Sequence, residues 1–167
     1  MRPVRPSDYD GLFALARDPQ VWALHPNSDR YEESVFRAYF EEGLASRGAL
    51  VASCRSTGRL VGWSRYSRDN VEADEIEIGW TFLGRSYWGG AHNRDMKEMM
   101  LEHAFRYVDR VVFRIGAANL RSRRAIEKLG AVLLPAHNIG GLTTEPTTVR
   151  YFITPEAAAT AFGISRH

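Results

Sequence analysis

Hydrophobic positions recur along this chain with two different periods. Tyr9, Leu12, Phe13, Leu15 and Ala16 gather on one side of a 3.6-residue turn, and Ser7 is placed to cap the helix this predicts. Asp18-Pro19 ends that helix, and a polar-aromatic loop runs from Trp22 to Tyr31. Val35, Phe36, Tyr39, Phe40 and Leu44 mark a second amphipathic helix, closed by Gly48. Beyond Gly48 the period falls to two. Ala49 to Ser53 and Leu60 to Tyr66 read as strands around the turn Ser56-Thr57-Gly58, and Ile76, Ile78, Trp80 and Phe82 alternate with Glu77, Gly79 and Thr81 in a third. Asp95 to Tyr107 returns to helical spacing, with Met96, Met99, Met100, His103 and Ala104 on one face. Val111 to Ile115 reads as a buried strand, Arg121 to Leu129 as a helix stopped by Gly130, and Ala131 to Leu134 and Val149 to Ile153 as the last strands. With an extended entry at Pro3 to Pro6, the order is β-α-α-β-β-β-α-β-α-β-β. Early strands form hairpins and later ones alternate with helices. This predicts an α/β domain with a mixed, mostly antiparallel sheet of about seven strands and helices on both faces.

Composition narrows the class. At 167 residues and 18.9 kDa the chain is expected to form a single domain over 1–167, large enough for its own core. The lone cysteine, Cys54, rules out an internal disulfide framework, and nothing near it has zinc-ligand spacing, so no metal is expected. The opening Met-Arg-Pro-Val-Arg-Pro lacks the apolar stretch of a signal peptide, and no apolar run approaches the roughly 20 residues of a membrane span. The expectation is a soluble, cytoplasmic protein without a membrane partner. The net charge of +2 is too mild to imply a nucleic-acid partner. The cations concentrate only at Arg121, Arg123 and Arg124, without aromatic RNA-binding companions.

The segment Glu75 to Lys97 carries the candidate chemistry. A strand leads into Tyr87-Trp88-Gly89-Gly90-Ala91-His92-Asn93 and then directly into a helix. Small residues let a ligand approach the backbone, and N–H groups at a helix N-terminus suit an anion such as a pyrophosphate; a plain tight turn has the same composition. Further on, Asn119 reads as a helix cap and Ser122 as a first-turn serine.

Together, Glu77-Ile78-Gly79-Trp80-Thr81-Phe82, the Tyr87 to Asn93 turn with Lys97, and Asn119 with Arg121-Ser122 and Leu129-Gly130 resemble the GNAT superfamily of acyl-CoA-dependent N-acyltransferases. The chain looks most similar to its RimJ/RimL-like branch, which acetylates the N-termini of ribosomal proteins. The resemblance covers about Met1 to Thr154 and implies a GNAT-like fold and acetyl transfer from acetyl-CoA to a primary amine through a tetrahedral intermediate. The acceptor is a protein N-terminal α-amine or a small-molecule amine, and a homodimer is compatible with the pattern. Three departures stand out. Ser86 occupies the usual basic position of the phosphate loop, with Arg85 one residue away. Ile126 stands where many members carry a tyrosine acid, and Leu134-Pro135 lies near the place of the branch's Glu-Gly pair.

The reaction needs a neutral amine, a donor for the oxyanion and a proton for the departing thiolate. Glu77 is the candidate base, since it sits on the strand leading into the loop. By resemblance that strand splays from its neighbour and binds the pantetheine through backbone groups, and a main-chain N–H near Trp80 to Phe82 meets the oxyanion. Ser122 is the resemblance-based proton donor, with Asn119 orienting it. The expected coenzyme contacts are Trp80, Thr81, Phe82, Trp88, Gly89, Gly90, Ala91, His92, Asn93, Lys97, Asn119, Arg121 and Ser122, with Lys97, Arg121 and Arg124 near the phosphates. The acceptor pocket is expected between Trp22, His25, Asp29, Arg30 and Tyr31 and the stretch Ala136 to Pro146, which holds His137. Two rival readings remain: a silent CoA-binding or sensing domain, and an RNA-binding module using the arginine cluster.

Overall fold

The computed structural model describes residues 1–134 and 147–163. Ser7 lies in a short 3-10 turn, Pro6–Asp8, and does not cap the first helix; the Asp8 carboxylate accepts from the Arg5 N–H and from Arg2. Helix α1 then spans Tyr9–Ala16. Asp18 caps an unpredicted one-turn helix, α2 (Pro19–Trp22), with Pro19 inside its first turn. The start of the region read as a loop is therefore helical. Helix α3 covers Glu33–Ser46 and ends at Arg47, whose φ of 56° takes the left-handed place expected of Gly48.

Seven strands follow the alternating patterns. They are β1 (Arg2–Pro3), β2 (Ala49–Ser53), β3 (Leu60–Ser67), β4 (Glu75–Leu83), β5 (Arg110–Gly116), β6 (Val132–Leu133) and β7 (Thr148–Ile153). They form one sheet in the order β1-β2-β3-β4-β5-β7-β6. Among the described residues only β4 and β5 run parallel, joined by helix α4 (His92–Ala104). Helix α5 (Leu120–Glu127) precedes β6, and an unpredicted helix, α6 (Pro155–Phe162), follows β7. Its signals are ordinary ones: Thr154 accepts from the Ala157 N–H, Pro155 opens the first turn and Gly163 closes the helix at φ 71°.

Each face of the sheet has its own core. Leu12, Ala16, Trp22, Phe36, Tyr39 and Phe40 from α1 to α3 pack on Val51, Trp63 and Phe82. Gly43 lets α3 lie on Trp63, since a Cβ there would sit 2.1 Å from the indole ring. On the other face Met100, Leu101 and Ala104 of α4 and Ile126 of α5 pack on Ile78, Val111, Phe113, Tyr151 and Ile153. The buried stripe of α4 is rotated from the expected one. Met99 is 45% exposed, whereas Lys97 is only 4% exposed. The result is a single α/β domain with helices on both faces, as the periodicity predicts.

Candidate active site

The parallel pairing of β4 with β5 is short. It joins Glu75, Ile76 and Glu77 to Arg110, Val111 and Val112 and stops there, although β4 continues to Leu83 and β5 to Gly116. The cause lies in β4. The β3–β4 register shifts between Trp63 and Arg65, and Trp80 takes a φ of 53°, a left-handed conformation that costs a tryptophan energy. Two contacts hold it there. The Tyr39 hydroxyl donates to the Trp80 carbonyl at 2.6 Å, and the Arg65 guanidinium stacks 4.3 Å from the indole centroid. The bulge turns β4 away from β5 and leaves the edge from Ile78 to Leu83 without a strand partner on that side. Backbone groups on such an edge can bind an extended ligand as a further strand would.

The mouth of this cleft is the glycine turn. Gly89 adopts φ 73°, and a side chain added there would meet nothing within 4 Å, so the turn stands open. Ala91 occupies the N-cap of α4 and no side chain caps the helix. Its first N–H groups therefore face outward without a side-chain acceptor, which is the requirement for phosphate binding. The buried Nδ1 of His92 also lacks a hydrogen-bond partner among the described residues. Trp88 donates from its indole N–H to the Leu83 carbonyl at 3.1 Å, and the Arg121 guanidinium stacks 3.9 Å from its ring centroid. Folding thus brings the start of α5 to the loop and sets a cation beside it. These features fit the pyrophosphate end of CoA: open turn, uncapped helix, unpaired imidazole nitrogen and adjacent guanidinium.

Lys97 does not reach this mouth. It turns inward, donating to Thr81 Oγ1 at 2.6 Å and to Ser64 Oγ at 3.2 Å, with the Phe113 ring centroid 5.8 Å away. The expected phosphate contact is corrected on that geometry: the amine is held by hydroxyls of β3 and β4 and not by the glycine turn. Burial holds the Lys97 amine down to about 7.

Glu77 is buried, and Arg114 donates to its Oε2 at 2.9 Å. Burial pushes the Glu77 carboxyl upward, and Arg114 opposes that rise. Two residues earlier, Glu75 is clamped by Arg110 at 3.0 Å and by Arg150. Strand alternation puts Glu77 on the face of Arg65, which donates to Glu42 of α3 at 2.6 Å, while Phe113 lies on the α4 face. Glu77 and Lys97 thus approach the splay from opposite sides of the sheet.

Asn119 Oδ1 accepts from the Ser122 backbone N–H at 3.1 Å, so its carbonyl is the helix cap of α5. The cap orients the first turn and leaves the Ser122 hydroxyl without a partner among the described residues.

The expected acceptor wall divides. Trp22 is 1% exposed and donates to the Ala16 carbonyl at 2.7 Å, so it belongs to the core and not to a rim. Arg30 stacks 4.2 Å from the Tyr39 ring centroid and 5.6 Å from that of Trp22. His25 lies 3.4 Å from Arg30 Nη1, and burial, assisted by that guanidinium, lowers its pKa to about 4. At neutral pH it is uncharged. Tyr31 is exposed. The stretch Ala136 to Pro146, with His137, lies outside the described residues, as does Pro135.

The sequence profile of the acetyltransferase (GNAT) domain matches residues 1–132. The chain belongs to the GNAT acetyltransferase family. Similar solved structures include a GCN5-related N-acetyltransferase from Brucella melitensis, with TM-score 0.78, 15% identity, and coverage of 96% of this chain and 79% of that one. A GNAT-family acetyltransferase from Bacillus anthracis matches with TM-score 0.74, 16% identity and 93% coverage of both chains. A spermidine N-acetyltransferase from Vibrio cholerae, in complex with CoA and spermine, matches with TM-score 0.67, 12% identity, and coverage of 94% of this chain and 95% of that one. These likenesses establish the fold alone. The curated proteins contain no match. Among the described residues no helix of this GNAT domain is long and apolar enough to cross a membrane.

Sequence reasoning missed Tyr39, Arg65 and Ser64, which shape the splay together with the expected Thr81. Their only local signal is strand or helix periodicity, because their partners lie far along the chain. Lys97 did carry a signal: it is flanked by Met96, Met100 and Leu101, on the apolar side of α4.

Proposed function

We infer that this GNAT domain transfers an acetyl group from acetyl-CoA to a primary amine, in the manner of the RimJ/RimL-like branch. The observation that carries the reading is the unpaired edge of β4 with the open glycine turn and uncapped α4 N-terminus at its mouth. Trp80, Thr81 and Phe82 offer the coenzyme's arm backbone groups, and Gly89, Gly90, Ala91, His92 and Asn93 offer its phosphates N–H donors, with Trp88 and Arg121 alongside. Acetyl-CoA supplies the activated thioester carbonyl.

Glu77 holds the position of the base. Its burial raises its affinity for a proton, and Arg114 opposes that rise. Ser122 offers a hydroxyl as hydrogen-bond donor toward the sulfur, on a turn set by the Asn119 cap. His25, neutral and with a pKa of about 4, is a poor base for an amine. On the acceptor side Arg30 stacks on Tyr39 and sets a positive charge that disfavours a polycationic acceptor. An N-terminal α-amine or a small amine of low positive charge is the matching acceptor, as the RimJ/RimL resemblance implies.

The test has two parts. Saturating CoA raises the melting temperature, and Gly90→Val, which sets a β-branched side chain in the open turn, weakens that rise. Thiol release from acetyl-CoA is then followed across α-amines, lysine ε-amines and polyamines. The absence of any CoA shift overturns the reading, and CoA binding without thiol release for any amine identifies a sensing domain.

A further inference from the structure

Lys97 is a buried cation without a counter-ion among the described residues. Ser64, Thr81 and Phe113 are its partners, and none of them carries charge. The neighbouring charged groups are engaged elsewhere. On β3, Arg65 turns to Glu42 on the other face, and the Tyr66 hydroxyl donates to the Met100 carbonyl. On β4 and β5, Glu77 and Arg114 pair with each other on the opposite side of the sheet. On α5 and β7, Arg123 and Glu127 both engage the Tyr151 hydroxyl. On α4 itself, Arg94 caps the Ala161 carbonyl at the surface. An apolar side chain in this place would pack among Met96, Met100, Leu101 and Phe113 without the desolvation cost that an ammonium incurs.

The position of the amine is specific. Thr81 lies on the part of β4, and Phe113 on the part of β5, that have no pairing with each other's strand. Nζ, hydrogen-bonded to Thr81 and facing the Phe113 ring, therefore sits beside the place where the two strands have parted. Ser64 Oγ and Thr81 Oγ1 lie 2.8 Å apart, and both reach the Gly79 carbonyl, at 3.3 and 3.4 Å. The network works in two protonation states. As an ammonium, Lys97 donates to both hydroxyls; as a neutral amine, it accepts from Thr81. A third N–H of the ammonium has no partner among the described residues.

We propose that Lys97 lies against the sulfur of bound CoA and hands it the proton that lets it leave, a role distinct from the phosphate contact its sequence position suggests. The proposal rests on the acetyl-CoA reading above. As the acceptor nitrogen bonds to the carbonyl carbon, the C–S bond breaks with its electron pair on sulfur. The Lys97 proton goes to that sulfur, the amine's proton goes to Glu77, and solvent exchange restores both groups. A donor fixed beneath the cleft by two hydroxyls needs no tyrosine on α5, where this chain has Ile126. Ser122 then holds the sulfur by a hydrogen bond while Lys97 supplies the charge.

The decisive measurement needs no acceptor. The thiol of bound CoA is titrated by the ultraviolet absorption of its thiolate, with the protein's own titration subtracted. An ordinary thiol ionises near pH 8.5, and an ammonium against it lowers this to about 7.5 or below. Lys97→Met, in which CoA still raises the melting temperature, returns the value to about 8.5 and lowers kcat by about 10²-fold or more with an accepted amine. A wild-type value at or above 8.5 overturns the proposal without reference to any variant. Equal values in wild type and Lys97→Met overturn it while leaving the acetyl-CoA reading intact, whereas failure of CoA to bind the wild type overturns both.

Discussion

Glu77 and Lys97 are both buried beside the same splay, yet different physics holds each. Glu77 has a guanidinium at 2.9 Å, which opposes the burial that pushes its pKa upward. Lys97 has only hydroxyls and a ring, and burial alone brings its pKa down to about 7. A buried charge with a counter-ion is a stable fixture, while one without becomes a proton switch near neutral pH. One sheet presents both kinds of group, on opposite faces of a single gap.

The comparison breaks most visibly at Glu77. Glu77→Gln keeps the shape and removes the basicity, so kcat/KM is expected to fall by about 10²–10⁴-fold near pH 6. The loss shrinks toward pH 9, where more of the acceptor amine is already neutral. Parallel profiles for wild type and variant from about pH 6 to 9.5 would remove Glu77 as the base.

Arg114→Met tests the pairing itself. It strands the Glu77 carboxylate, and breaking a buried pair in this way costs about 3 kcal/mol. The cost should be smaller at pH 5, where an unpaired Glu77 can take a proton, than at pH 8, where it must lose one. Denaturant melts at both pH values measure this, and equal losses would mean that Glu77 does not depend on Arg114.

Lys97→Met gives the opposite sign and the smallest change. The folded-state pKa of about 7 lies below the ordinary 10.5, so between these values the unfolded chain binds more protons and wild-type stability rises with pH. The penalty is complete below pH 7. Removing the amine is therefore expected to stabilise the protein by roughly 2 kcal/mol at pH 6, after allowing for the lost hydrogen bonds, and by progressively less toward pH 10. Thermal melts across that range check it. A variant that gains stability while losing turnover separates an active-site lysine from a structural one.

Much of the architecture was legible locally. Ala49–Ser53 reads as a strand, Gly130 closes a helix, and the change of period after Gly48 separates the helical from the sheet-forming stretches. Two short helices were missed although their signals were present. Asp18-Pro19 reads equally as a terminator and as a cap with proline in the first turn, and Thr154-Pro155 has the same ambiguity. The site was less legible than the fold. The glycine turn and the Asn119 cap are local features. Trp22 looks like a loop aromatic until Ala16, Tyr39 and Phe82 enclose it.

Pattern and spacing, which act over a few residues, were sufficient for the α/β class, the strand order of appearance, the uncapped glycine turn and the family resemblance. The divergence of β4 from β5 depends on Tyr39 and Arg65 reaching Trp80 from distant parts of the chain. So does the fate of Lys97, whose charge reads as a surface group. Its burial follows from the way α4 rolls Met96, Met100 and Leu101 onto the sheet, bringing the amine between Thr81 and Phe113. Local propensity is a property of neighbours in sequence. The desolvation that sets a proton affinity, and the strain that opens a strand pair, are properties of neighbours in space.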